Sequence, residues 1–182
     1  MKKTLLNICL LIGVATLTGC FTTAQYSFSL IKPHENNNLA FADESIDVKF
    51  FVVRDSINFV LENKTDAPVE IDWNQASYLD VNSTSHKIIH AGIKFIDKGN
   101  PMPVTIIPPN AKIEDIASPA DYAYFSSGQY GGWNQLDLLP NNENAVNYKG
   151  KTIGLFLPIK INGTIKNYQF TFRVENVELK KE

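Results

Sequence analysis

The sequence predicts an all-β fold, a single antiparallel β-sandwich of about seven to nine strands. Three observations lead there. Apolar residues recur at every second position through most of the 182-residue chain, the period of a strand with one buried face. Asn, Pro and Gly clusters break these runs at short intervals, as turns do. No stretch of twelve or more residues carries the 3.6-residue period of an amphipathic helix.

Before the first such run, Lys2 and Lys3 precede an uncharged, Leu- and Ile-rich stretch from Thr4 to Leu17, which ends in Thr18, Gly19 and Cys20. A basic start, an apolar run too short to span a bilayer and small residues at its end make an export signal that is removed. The stretch Leu17-Thr18-Gly19-Cys20 resembles the lipobox of bacterial lipoproteins. That resemblance implies cleavage before Cys20 and acylation of its thiol, palmitate being one such chain. Residues 1–19 are then a lipoprotein signal peptide, residues 20–24 the lipidated cysteine with a short tether, and residues 25–182 the sandwich. Cys9 leaves with the signal, so the mature chain holds one cysteine and no internal disulfide.

The strands follow in order. Tyr26, Phe28 and Leu30 alternate with Gln25, Ser27 and Ser29. Ile46, Val48, Phe50 and Val52 repeat the pattern, Arg54-Asp55-Ser56 turns the chain, and Ile57, Phe59 and Leu61 resume it. "ENKTDAP" is turn chemistry ahead of Val69, Ile71 and Trp73, and "NSTS" separates Tyr78–Val81 from Lys87–Ile89 as a hairpin would. Near the end, Asn162-Gly163 lies between two apolar runs. These residues accommodate the positive φ angles of a type I′ turn, so Tyr168, Phe170, Phe172 and Val174 should line the inner face of a last long strand.

The run "INFVLENKTDAPVEIDWN", with "SYLDVNSTSHKIIHAGI" and "TIIPPNAKIEDI" after it, resembles immunoglobulin-like bacterial lipoproteins of uncharacterised function. The resemblance covers roughly residues 57–116 and implies an immunoglobulin-like sandwich without catalytic residues. The inter-sheet cysteine pair of antibody domains is missing here.

Charge and motif content narrow the function. The whole chain carries a formal −2, and the mature chain is more acidic because Lys2 and Lys3 depart. Nucleic acid is therefore not an expected partner, since it calls for a basic face. A thiol nucleophile is excluded when lipid occupies Cys20. No Gly-x-Ser-x-Gly elbow, phosphate loop or His-Glu-x-x-His helix is present, and the histidines are His34, His86 and His90. On a strand, His86 and His90 stand roughly 13 Å apart, too far to share a metal, and read as solvated imidazoles at a sheet edge. Glu114, Asp115 and Asp72 read as solvated carboxylates. No catalytic residue, metal or cofactor is expected.

One segment stands out, "DYAYFSSGQYGGWNQLDLLP" at residues 121–140. Tyr122, Tyr124, Phe125, Tyr130 and Trp133 are interleaved with Ser, Gly and Asn, a mixture that suits adaptable binding loops. The competing reading, which we prefer from sequence, has these rings folding back over an open end of the sandwich. The segment is nonetheless the best candidate for a site. The expected protein is exported and anchored to a membrane by its N-terminal lipid, in the outer membrane of a Gram-negative cell or on the outer face of the cytoplasmic membrane otherwise. It acts as a binding or protein-interaction module toward an envelope protein or a cell-wall component. A small-ligand or glycan-binding module using residues 121–140 is the alternative, and an unrecognised hydrolase a weaker one.

Cys20→Ser should block acylation and normal processing, because an oxygen cannot form the thioether. Mass spectrometry and membrane fractionation check this, and an unchanged mass and distribution would refute the anchor.

Overall fold

The computed structural model describes residues 22–181. Cys20 and the leader, residues 1–19, lie outside the described residues. Thirteen strands follow one another: β1 (Thr22–Lys32), β2 (Ala40–Ala42), β3 (Ile46–Val52), β4 (Ile57–Asn63), β5 (Val69–Ile71), β6 (Ser77–Leu79), β7 (Ser85–Ile89), β8 (Thr105–Ile107), β9 (Lys112–Pro119), β10 (Ala123–Ser126), β11 (Gly132–Gln135), β12 (Thr152–Ile161) and β13 (Thr164–Lys181). Short 3₁₀ turns occupy Phe95–Asp97, Ala120–Tyr122 and Glu143–Tyr148. Among the described residues no helix is long and apolar enough to cross a membrane.

Strands β1, β13, β12 and β6 lie side by side, with β5 also on β12 and β8 beyond it, while β9, β4, β3 and β2 continue the sheet as a second layer. Their pairings are antiparallel. β7 belongs to both layers: residues 85–87 pair with β6, and Ile88 and Ile89 pair with Pro119 and Ser118 of β9. A strand that changes partners midway forms a corner of a sandwich and needs no disulfide to join the layers.

Alternation places the core between them. Ile46, Val48 and Phe50 of β3 and Ile57, Phe59 and Leu61 of β4 are buried, as are Tyr168, Phe170, Phe172 and Val174 of β13. The Phe50 ring centroid lies 4.6 Å from that of Phe170 and 5.1 Å from that of Phe172. The last hairpin has positive φ at both Asn162 (49°) and Gly163 (79°), which gives the connection between β12 and β13 the twist of its strands.

The antiparallel sandwich agrees with the sequence reading, but its strands outnumber the seven to nine expected. β2, β5, β6 and β8 are three residues long, too short for a period of two to emerge, and β10 and β11 come from the segment read as a loop. Thr22, Thr23 and Ala24, assigned to the tether, already belong to β1, opposite Lys181, Lys180 and Leu179 of β13. Those three residues carry no alternation of their own; the length of the partner strand recruits them.

Two polar clamps, one of them fully buried, hold the connections. Asn63, fully buried at the end of β4, donates to the carbonyls of Ala67, Ile107 and Pro108 and accepts from the Thr65 amide and hydroxyl. The "ENKTDAP" turn is thus wound around one satisfied amide, and a sugar cannot be attached to it. Asp43, just after β2, crosses to the other layer, where Lys166 Nζ donates at 2.7 Å and the Tyr168 hydroxyl at 2.9 Å. Partial burial pushes the Asp43 carboxyl up, but the bonds from Lys166, Tyr168 and the Ile46 and Ser45 amides outweigh it and hold the group down to about 2.

Phe170→Ala should cost roughly 3–5 kcal/mol by opening a cavity between the layers. At this chain length that lowers the Tm by about 6–20 °C. Gly163→Val should also destabilise, by about 1–2 kcal/mol, through strain at positive φ alone, because a Cβ there meets nothing within 4 Å. Wild-type melting of both variants would show that the hairpin register is wrong.

Because the Asp43 pKa is depressed on folding, its contribution is complete above pH 4 and is lost as pH falls toward 2. Lys166 is half exposed, and screening there leaves roughly 1–2 kcal/mol. Urea midpoints measured between pH 5 and 2 should fall more steeply in the wild type than in Asp43→Ala; parallel curves would remove Asp43 from the acid response.

Candidate functional site

Strands β10 and β11 form a two-stranded hairpin outside the main sheet. Its register sets Phe125 opposite Trp133 and Tyr124 opposite Asn134. Polar groups fold into the connecting loop: Asn134 Nδ2 donates to Ser126 Oγ and to the Gly132 carbonyl, each at 2.9 Å, and the Gly131 amide donates to the Gly128 carbonyl. A Cβ on Gly131 would meet the Ser126 carbonyl oxygen at 2.5 Å, so only glycine fits this close turn. These hydrogen bonds close the loop on itself, and the rings face outward.

Phe125 is 62% exposed, Tyr130 93% and Trp133 40%, and Tyr124 is also exposed. Phe125 meets Trp133 edge to face at 5.7 Å, and Phe95 packs on the same indole at 6.0 Å. Lys98 places its ammonium 5.8 Å from the Trp133 ring centre and donates to the Ala123 carbonyl, a cation–π contact that ties the hairpin to the Phe95–Asp97 turn. Trp133 and residues 93–96 enclose an open groove of about 480 Å³. Ile96, 71% exposed, extends its apolar wall.

Tyr122 differs from the other four rings of the segment. It stands at the base of the hairpin, half buried, edge-on to Tyr78 at 6.2 Å and to His86 at 5.3 Å, and burial with the nearby Asp80 and Asp121 carboxylates pushes its hydroxyl up. The folding-back expected for the whole segment thus describes Tyr122, whereas Tyr124, Phe125, Tyr130 and Trp133 face outward. Phe95, Ile96 and Lys98 were not singled out in the sequence. "IKFID" mixes apolar and charged residues without a clean period of two or 3.6, so no pattern marks it as an exposed turn.

The histidines and one carboxylate require a correction. His86 and His90 are not solvated: their side chains are 12% and 10% exposed. His86 Nδ1 lies 2.7 Å from Asp121 Oδ2, with Asp80 Oδ2 3.7 Å from Nε2. His90 stacks on the buried Trp73 at 4.2 Å, and its Nδ1 lies 3.2 Å from Asp115 Oδ2. Asp115, expected in solvent, is 8% exposed and also accepts from the Ala91 amide at 2.8 Å. The change of partners along β7 explains the difference, because Ile88 and Ile89 are both buried and the alternation that would have kept His90 outward fails there. Asp72 accepts from Asn74 and Gln75 in an exposed turn, as its reading implied.

Two imidazole–carboxylate pairs raise the question of catalysis. Among the described residues neither imidazole is hydrogen-bonded to a serine or threonine hydroxyl, and Nε2 of each has no partner, so neither pair is extended to a nucleophile. No group of three or more His, Cys, Asp and Glu among the described residues is arranged to hold a metal ion. What the geometry does offer is a solvent-facing aromatic surface. Comparison of the chain with protein-family models, curated proteins and solved structures found no match.

Proposed function

We propose that this protein is a lipid-anchored component of the cell envelope that acts by binding, and that the outward face of the β10–β11 hairpin with the Phe95–Asp97 turn is its contact surface. The observation that carries the reading is the exposure of Phe125, Tyr130 and Trp133 on a hairpin whose connecting loop is closed by its own hydrogen bonds. Such a surface contributes nothing to the core, and apolar area kept in water is costly unless it is covered in use. Aromatic rings lose little rotamer freedom on contact, and Trp and Tyr are enriched where binding energy concentrates. The lipobox supports the location, and the mildly acidic balance supports a partner other than nucleic acid. The His86–Asp121 pair acts as a strut that joins the hairpin base to β7.

A photo-crosslinking residue introduced at Phe125 or Tyr130 in the native host should give adducts, and the same residue at Ile165, exposed in the β12–β13 hairpin, should not. Equal labelling at all three positions would refute the assignment of this face.

A further inference from the structure

Resting on the anchored reading above, the structure points to the identity of what covers this face: we propose that the hairpin end of the sandwich sits in the interfacial layer of the bilayer that holds Cys20, with Phe125, Tyr130 and Trp133 at headgroup depth.

The first observation is the position of the anchor. β1 is paired from Thr22 onward, opposite Lys181, so an acylated Cys20 is two residues, about 7 Å of extended chain, from the edge of an ordered sheet. The start of β1 is held by the segment that follows the hairpin: the Ala24 amide donates to Asn141 Oδ1 at 2.7 Å, and the Tyr26 hydroxyl donates to the Pro140 carbonyl. That segment is tied in turn to the hairpin base and to the β3–β4 turn, through the Leu136 amide on the Tyr122 carbonyl and the Leu138 amide on the Arg54 carbonyl. The start of β1 and the base of the aromatic hairpin therefore share one end of the sandwich.

The second observation is the chemistry of that end. Trp and Tyr beside lysines are the combination found where proteins meet headgroups, because their rings are apolar with a polar edge and the lysine stem reaches back to water. Here Trp133 stands with Lys94, Lys98 and the exposed Ile96, and Tyr130 and Leu136 are exposed on the same segment. Lys180 and Lys181, opposite Thr23 and Thr22, put two ammonium groups beside the anchor, complementary to anionic lipid. Of the carboxylates at that end, Asp121 faces His86 and Asp137 pairs with Arg54 at 2.9 Å, while Asp97 and Glu178 are exposed and form no ion pair among the described residues. A soluble glycan or protein would account for the rings but not for their sharing an end with the lipid and the paired lysines.

The test uses the full mature protein purified from its own membrane and reconstituted into vesicles of phosphatidylethanolamine and phosphatidylglycerol whose acyl chains are brominated near the headgroup. Trp133 emission should be quenched relative to unbrominated vesicles, Trp133→Phe should lose that quenching, since Trp73 is buried, and Tyr130→Trp should add to it. Unquenched Trp133 in protein whose mass shows acyl chains overturns the docking and leaves the anchor standing. A shift of Trp133 emission on adding soluble cell-wall fragments, with no effect of bromine, also overturns it. A mass without acyl chains refutes the anchored reading and the docking together.

Discussion

The packing of Phe50 against Phe170 and Phe172 is the contact on which the two layers depend. Residues 22–181 contain no cysteine, so nothing covalent crosses between the layers except the chain itself. Each buried ring contributes roughly 1.5–3 kcal/mol by leaving water, and close ring pairs add about 0.5–1.5 kcal/mol. This cluster joins β3 to β13, while Phe59 and the fully buried Ala117 hold β4 against β9. The end of β9 then sets where the Ala120–Tyr122 turn begins, and with it the direction in which the aromatic hairpin leaves the body.

β7 supplies the second constraint. By pairing with β6 and then with β9 it closes one side of the sandwich, and the crossing point draws its flanking histidines inward. An imidazole buried in this way needs a partner for its N–H, which accounts for Asp121 and Asp115 standing beside His86 and His90. The same requirement links structure to site, because the residue that satisfies His86 is the one from which the hairpin springs.

Most of the framework was legible in the sequence, since a half-buried strand writes its geometry as alternation. Phe50, Phe59, Phe170 and the Asn162-Gly163 turn are all placed by local pattern and turn chemistry alone. What escaped were features that depend on partners distant in sequence: the pairing of Thr22–Ala24, the inward turn of His90, the burial of Asp115, and the meeting of Trp133 with Phe95 and Lys98. The aromatic segment was conspicuous by composition, but whether its rings cover the sandwich or face solvent is decided by where Tyr122 and Asn134 find partners, which composition does not encode.

β1 has a single neighbour in the sheet, and that neighbour is β13, the last strand in the described chain. The first strand of the described chain must therefore wait, unpaired, until the last has been made. Closing so long a loop is slow, and a lone edge strand is open to wrong partners in the interval. The fold is in this sense all-or-none with respect to length: a partly made chain has no finished sandwich, and one cut short of β13 leaves β1 without a seat.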